Sequence, residues 1–178
     1  MQMFGTLSLE PALEHAALLG DPVRRALEAW EHAGEVLVAE IDPALAETVA
    51  MSEAYEVPLA AGANCVVVMG RRDGEERTAA CVVRADTRAD VNNVVKRTLD
   101  VRKASFLDHD RAVTESAMEY GGITPIGLPG HWRLYVDAAA AEIALAVIGS
   151  GIRGSKLFVP GRVLGLLPGA EVIPDLAR

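Results

Sequence analysis

Three glycines and one proline fall within the seven residues Gly121–Gly127, read as GGITPIG. Glycine admits φ > 0 and lets a ligand approach main-chain groups. Proline fixes φ and carries no N–H. A stiff loop poor in side chains presents carbonyls and amides to a small polar group such as an α-amine or a ribose hydroxyl. The same composition also suits a plain connection, a helix C-cap glycine followed by a turn. Composition alone leaves both readings open. A second candidate is Gly149-Ser150-Gly151, a glycine-flanked hydroxyl that suits a loop near a ligand better than a nucleophile. The four histidines, His15, His32, His109 and His131, form no HExxH pattern, and no GxSxG nucleophile elbow is present.

The chain around these residues has 178 amino acids, enough for one domain with a real core. Residues 1–20 read as an N-terminal extension and 21–178 as the domain. Aromatic residues make up 4% of the chain, so stacking platforms for single strands are scarce. The net charge of -8 argues against a strong nonspecific grip on phosphate backbones. Between Arg71 and Lys103, however, nine basic residues face six acidic ones, a local +3 that suits either a nucleic-acid patch or an ordinary solvated face. Cys65 and Cys81 sit in Val-rich runs and read as free buried thiols, compatible with a reducing cytosol. No Cys/His spacing points to a metal, and no cofactor is implied. No apolar run reaches membrane-spanning length and no signal peptide opens the chain, so the expectation is a soluble cytoplasmic protein. Oligomeric state is left open.

The elements that must position the loop follow from periodicity and caps. Ser8 is expected to cap a short helix bearing Leu9, Leu13, Ala16 and Ala17. Asp21-Pro22 opens a helix with Val23, Ala26, Leu27 and Trp30 on one face. Val36–Ile41 reads as a strand, and Asp42-Pro43 opens a helix through about Tyr55. Val57-Pro58 breaks it ahead of Asn64–Met69, a continuous apolar strand. Arg72-Asp73-Gly74 turns the chain into Thr78–Val83, making a hairpin. Val91, Val94, Val95 and Leu99 mark a helix after Thr87 and Asp90. Lys103–Phe106 is a short strand, and Asp108 caps a helix through Met118. Beyond the glycine loop, Trp132–Val136 is a strand and Asp137 caps an Ala-rich helix to Ile148. Lys156–Val159, a short helix from Pro160, and Glu171–Ile173 complete the chain. This predicts an α/β (α+β) single domain, a mixed sheet flanked by helices.

The order of these elements and several motifs resemble the YbaK / prolyl-tRNA synthetase-associated domain family over residues 21–178. Tyr120-Gly-Gly-Ile-Thr-Pro-Ile-Gly127 is similar to that family's Gly-Gly-x-x-Pro-x-Gly loop. Ile41-Asp42-Pro43 with Thr48, Val57-Pro58 before an apolar strand, Leu134–Asp137, Gly149-Ser150-Gly151 and Ala170-Glu171-Val172 fit the same pattern. The resemblance implies a curved mixed sheet and an aminoacyl-tRNA deacylase that hydrolyses the ester of mischarged tRNA. It implies a pocket for the aminoacyl 3′ end of tRNA, lined by Gly121, Gly122, Ile123, Thr124, Pro125 and Gly127, with Gly149 and Ser150 close by. Loop carbonyls would hold the α-amine there. Positioning, backbone groups and the substrate's own ribose hydroxyl would carry the chemistry, with no metal. One position departs from the pattern. Where the family usually places a lysine at the start of the first hairpin strand, this chain has Asn64, which makes and accepts hydrogen bonds but holds no charge. Asn64 is therefore the catalytic position in question, and a weakened or inactive YbaK-like binding module is the alternative. Lys96 and Lys103 are assigned to the surface.

Overall fold

The computed structural model describes residues 2–178, and the chain begins there with strands. β1 (Gln2–Phe4) and β2 (Leu7–Pro11) form a hairpin. Leu7 and Leu9 are buried, so two-residue alternation overrides the helical spacing expected after Ser8, which lies in β2 opposite Met3. Short 3-10 turns at Ala12–Glu14 and Ala16–Leu18 follow. α1 (Asp21–Ala29) has Pro22 in its first turn and buries Val23 and Leu27. After β3 (Leu37–Glu40), the Asp42 carboxylate accepts the Ala44 N–H at 2.8 Å. It caps only a 3-10 turn, Pro43–Leu45, and α2 (Thr48–Ala54) starts separately. One helix was expected here; two pieces stand in its place.

β4 (Ala63–Arg72) and β5 (Glu75–Arg84) pair across a tight turn at Asp73-Gly74, where φ is 53° and 85°. Positive φ at both central residues matches the twist of a two-residue hairpin. A π-helical turn at Val91–Val95 runs into α3 (Lys96–Leu99), followed by β6 (Ala104–Phe106). α4 (His109–Ser116) is capped by the Asp108 carboxylate, which accepts the Arg111 N–H at 3.2 Å. β7 (Arg133–Asp137) leads into α5 (Ala138–Ala141), a single turn. The Ala-rich helix expected through Ile148 stops there, because Ala146–Gly149 is β8, paired with β9 (Ser155–Val159). Strand pairing of Val147 and Ile148 outweighs alanine's helix propensity. Asp137 accepts the Leu176 N–H at 3.0 Å instead of capping α5. α6 (Gly161–Leu164) and β10 (Ala170–Ile173) end the fold.

The result is the expected mixed α/β domain, with its strands divided between two five-stranded sheets. The first, in the order β1-β2-β3-β9-β8, is antiparallel throughout. The second, β10-β7-β5-β4-β6, is mixed: parallel from β10 to β5 and antiparallel beyond. Gly62 bridges to Val147, joining β4's edge to β8. The largest apolar cluster draws Val38, Ile148 and Leu157 from the first sheet, Val67, Ala80 and Val136 from the second, and Leu27 from α1. The opposite face of the second sheet carries Cys81, Val83 and Tyr135, against which Leu99 of α3 and Leu176 beyond β10 pack. Among the described residues no helix is long and apolar enough to cross a membrane.

Candidate active site

The glycine loop is held by the turn between β8 and β9. α4 ends at Ala117 in the left-handed region (φ 54°). Glu119 N–H then donates to the Gly151 carbonyl at 2.9 Å, and Gly151 N–H donates to the Gly122 carbonyl at 2.8 Å. Backbone lies directly on backbone here: a Cβ on Gly149 would stand 2.4 Å from the Gly122 oxygen, and one on Gly122 would stand 2.7 Å from the Ile152 nitrogen. Both positions require glycine for close approach. Arg153 ties the rim together. Its N–H donates to the Glu119 carboxylate at 2.7 Å, and its guanidinium donates to the Tyr120 carbonyl at 3.0 Å and the Pro43 carbonyl at 3.1 Å.

A cavity of about 370 Å³ opens between this loop and β4. Met51, Val67, Ala112, Ile123 and Ile148 give it apolar walls. Its polar lining comes from Thr48 and Asn64 on one side and Gly121 and Lys156 on the other elements, with His109, Phe106 and Tyr120 also present. Thr48 Oγ1 donates to Asn64 Oδ1 at 2.8 Å, which occupies the carbonyl end of the amide and leaves its NH₂ for a ligand. Tyr120 is 51% exposed and meets the His109 ring edge-on at 4.1 Å.

Lys156 is the buried cation of this cavity, which the Glu47 carboxylate also lines. It is 6% exposed, and its Nζ donates to the Gly121 carbonyl at 3.2 Å. Among the described residues it forms no ion pair. Burial pushes its pKa down to about 8, opposed by the Glu47 carboxylate and reinforced by Arg153. Cys65 also lines the cavity, but burial, with a smaller contribution from Cys81, pushes its thiol far above its ordinary range. It stays protonated and is no nucleophile.

Of the residues singled out from the sequence, Asn64, Gly121, Ile123 and Gly149 meet around this cavity. Gly122 lies behind it, packed on Ile152. Thr124 is wholly buried, with its hydroxyl unpaired. Pro125 and Gly127 line a separate cavity of about 350 Å³ with Trp30, Leu128, Trp132 and Leu167. Ser150 is wholly buried, with its Oγ 3.1 Å from the Ile152 and Ser155 carbonyls and 2.7 Å from Ser155 Oγ. That hydroxyl is committed to holding the turn. Sequence reasoning missed Lys156, although a lone charge inside the buried strand Ser155–Val159 was a signal. Of the nine basic residues between Arg71 and Lys103, Arg71, Arg72, Arg77, Arg84 and Arg102 pair with carboxylates of the same segment, and the local excess of three positive charges remains.

Comparison with known proteins places this geometry in context. The aminoacyl-tRNA editing domain profile matches residues 42–165. A hypothetical protein of known crystal structure superimposes with a TM-score of 0.76 at 18% identity, over 89% of this chain and 100% of that one. A protein provisionally named a trans-editing enzyme for prolyl tRNA synthetase does so with a TM-score of 0.70 at 18% identity, over 94% and 98%. A provisionally named signal transduction protein of Marinobacter aquaeolei VT8 carries the fold within a longer chain: TM-score 0.54, 16% identity, 88% of this chain and 30% of that one. At these identities the structural likenesses establish the fold.

Proposed function

The chain belongs to the aminoacyl-tRNA editing domain family, and from that premise and its cavity we propose that it is a trans-editing deacylase acting in the cytoplasm on the aminoacyl 3′ end of mischarged tRNA. The observation that carries this reading is the cavity of about 370 Å³ with Gly121 and Ile123 on one wall and Asn64 on another. Its volume falls in the range of small-molecule sites, roughly 300–1,000 Å³. The apolar walls suit a small side chain, and the Gly121 carbonyl and Asn64 amide offer one acceptor and one donor. Among the described residues no activated side-chain nucleophile faces the cavity: the Thr48 hydroxyl donates to Asn64, Cys65 is a thiol, and the nearby Ser150 is committed to the turn. Water is therefore the nucleophile, and positioning of the ester supplies the acceleration.

Incubation with a panel of mischarged tRNAs tests this, with ester loss followed against buffer. Release of the amino acid from at least one of them is expected. No loss above buffer for any member of the panel refutes the enzyme reading. Asn64 favours a second reading, a binding module that has lost catalysis. Gain of activity in Asn64→Lys from an inactive wild type supports it, and an active wild type removes it.

A further inference from the structure

We propose that Lys156 is a catalytic residue of this site, whose ammonium acts with the Asn64 NH₂ to polarise the scissile ester carbonyl and hold the oxyanion that forms when water attacks. This rests on the deacylase reading above. Lys156 lies on β9, paired with Ala39 on one side and Gly149 on the other, and its side chain runs into the cavity. An ammonium has three donors. One is used, on the Gly121 carbonyl at 3.2 Å. A structural lysine either reaches water or meets a carboxylate. At 6% exposure Lys156 does not reach bulk water, and it forms no ion pair among the described residues. The charged and titratable groups around it are Glu47 ahead of α2, Arg153 from the β8–β9 turn, His109 from α4, Tyr120 from the loop and Cys65 from β4. Glu47, the one carboxylate lining the cavity, is 3.6 Å from the Arg153 guanidinium. The ammonium therefore keeps donors for a ligand.

Asn64 brings a second donor from β4, its orientation set by Thr48. Two nitrogen donors facing one cavity are what stabilising the charge that appears on an ester oxygen requires. In the step itself, a water oxygen bonds to the carbonyl carbon and the C=O pair moves onto oxygen, facing Lys156 and Asn64. The oxyanion collapses, and the bond from the carbonyl carbon to the ribose oxygen breaks. The water's proton ends on that ribose oxygen, and the free amino acid ionises to solvent. Neither Lys156 nor Asn64 changes protonation.

The test is the pH profile of single-turnover deacylation, corrected for buffer hydrolysis, for wild type and for Lys156→Met, which keeps the length of the side chain without its charge. Thermal unfolding of both confirms that each is folded. The cationic form is the active one, so wild-type activity should fall as pH rises through about 8. Lys156→Met should lose about 100-fold in rate, and its remaining activity should lack that alkaline limb. A variant within threefold of wild type overturns the assignment. So does a wild-type rate that climbs through the same pH range, the signature of a neutral lysine acting as base. An active wild type with an equally active variant removes Lys156 alone, whereas a wild type inactive on every mischarged tRNA removes the deacylase reading and this assignment together.

Discussion

Lys156→Met should make the folded protein more stable at neutral pH. Burial lowers the lysine from its ordinary 10.5 to about 8. At about 1.4 kcal/mol per pH unit, holding the ammonium inside opposes folding by about 3 kcal/mol at neutral pH. Methionine leaves the Gly121 carbonyl without its 3.2 Å donor, which returns about 1 kcal/mol. The net gain is about 2 kcal/mol, or about 4–8 °C in Tm for a chain of this length. The sign with pH follows from proton counting. Between about 8 and 10.5 the unfolded chain holds a proton on this residue that the folded protein has lost, so wild-type stability rises with pH across that window. The penalty is fully present below about 8 and vanishes above 10.5. The advantage of Lys156→Met should therefore shrink by about 2 kcal/mol between about pH 7.5 and about pH 9.5. Urea unfolding of both proteins at the two pH values, followed by far-UV circular dichroism, measures it. A variant less stable than wild type at the lower pH, or a gap that does not change, refutes the reasoning.

Gly149→Ala should destabilise by about 1–3 kcal/mol, because its new Cβ stands 2.4 Å from the Gly122 oxygen and both neighbours are main chain; Gly130→Ala, with nothing within 4 Å, should stay within about 0.5 kcal/mol in the same urea titration. Ser155→Ala removes the hydroxyl that donates to the Leu18 carbonyl at 2.5 Å and meets Ser150 Oγ at 2.7 Å. A loss of about 1–3 kcal/mol is expected by chemical denaturation, since buried acceptors are left without a partner. Thr48→Val frees the Asn64 amide to rotate. Deacylation should drop several-fold while the unfolding midpoint moves by about 1 kcal/mol or less, and an unchanged rate would show that Asn64 needs no orienting partner.

Much of this architecture is legible in the chain. The Asp108 cap, the Asp73-Gly74 turn and the β-branched run of β4 are local signals, and local geometry obeys them. Two of the failures come from strand pairing. Ala144 to Ile148 has the composition of a helix, but β9 offers Val147 and Ile148 ladder partners that no local pattern reveals. The segment from Leu7 to Pro11 becomes a strand that pairs with β1 through Leu7 to Leu9 and with β3 through Glu10 and Pro11. The site divides in the same way. Asn64, Gly121, Ile123 and Gly149 belong to motifs and are found together. Thr124, Pro125 and Gly127 share the motif, but the loop crosses from one cavity to another within it. Lys156 belongs to no motif, and its importance comes from a neighbour 35 residues away, Gly121.

The packing of Gly122 and Gly149 has a thermodynamic corollary. With main chain wedged against main chain on both sides, the loop is immobilised when the protein folds, and little freedom remains to be surrendered when a ligand arrives. Association should then be fast and nearly free of an ordering penalty in calorimetry, and the bound and empty forms should superimpose across residues 119–123. Discrimination between acyl groups would come from a shape fixed beforehand, in the manner of a gauge rather than a closing hand.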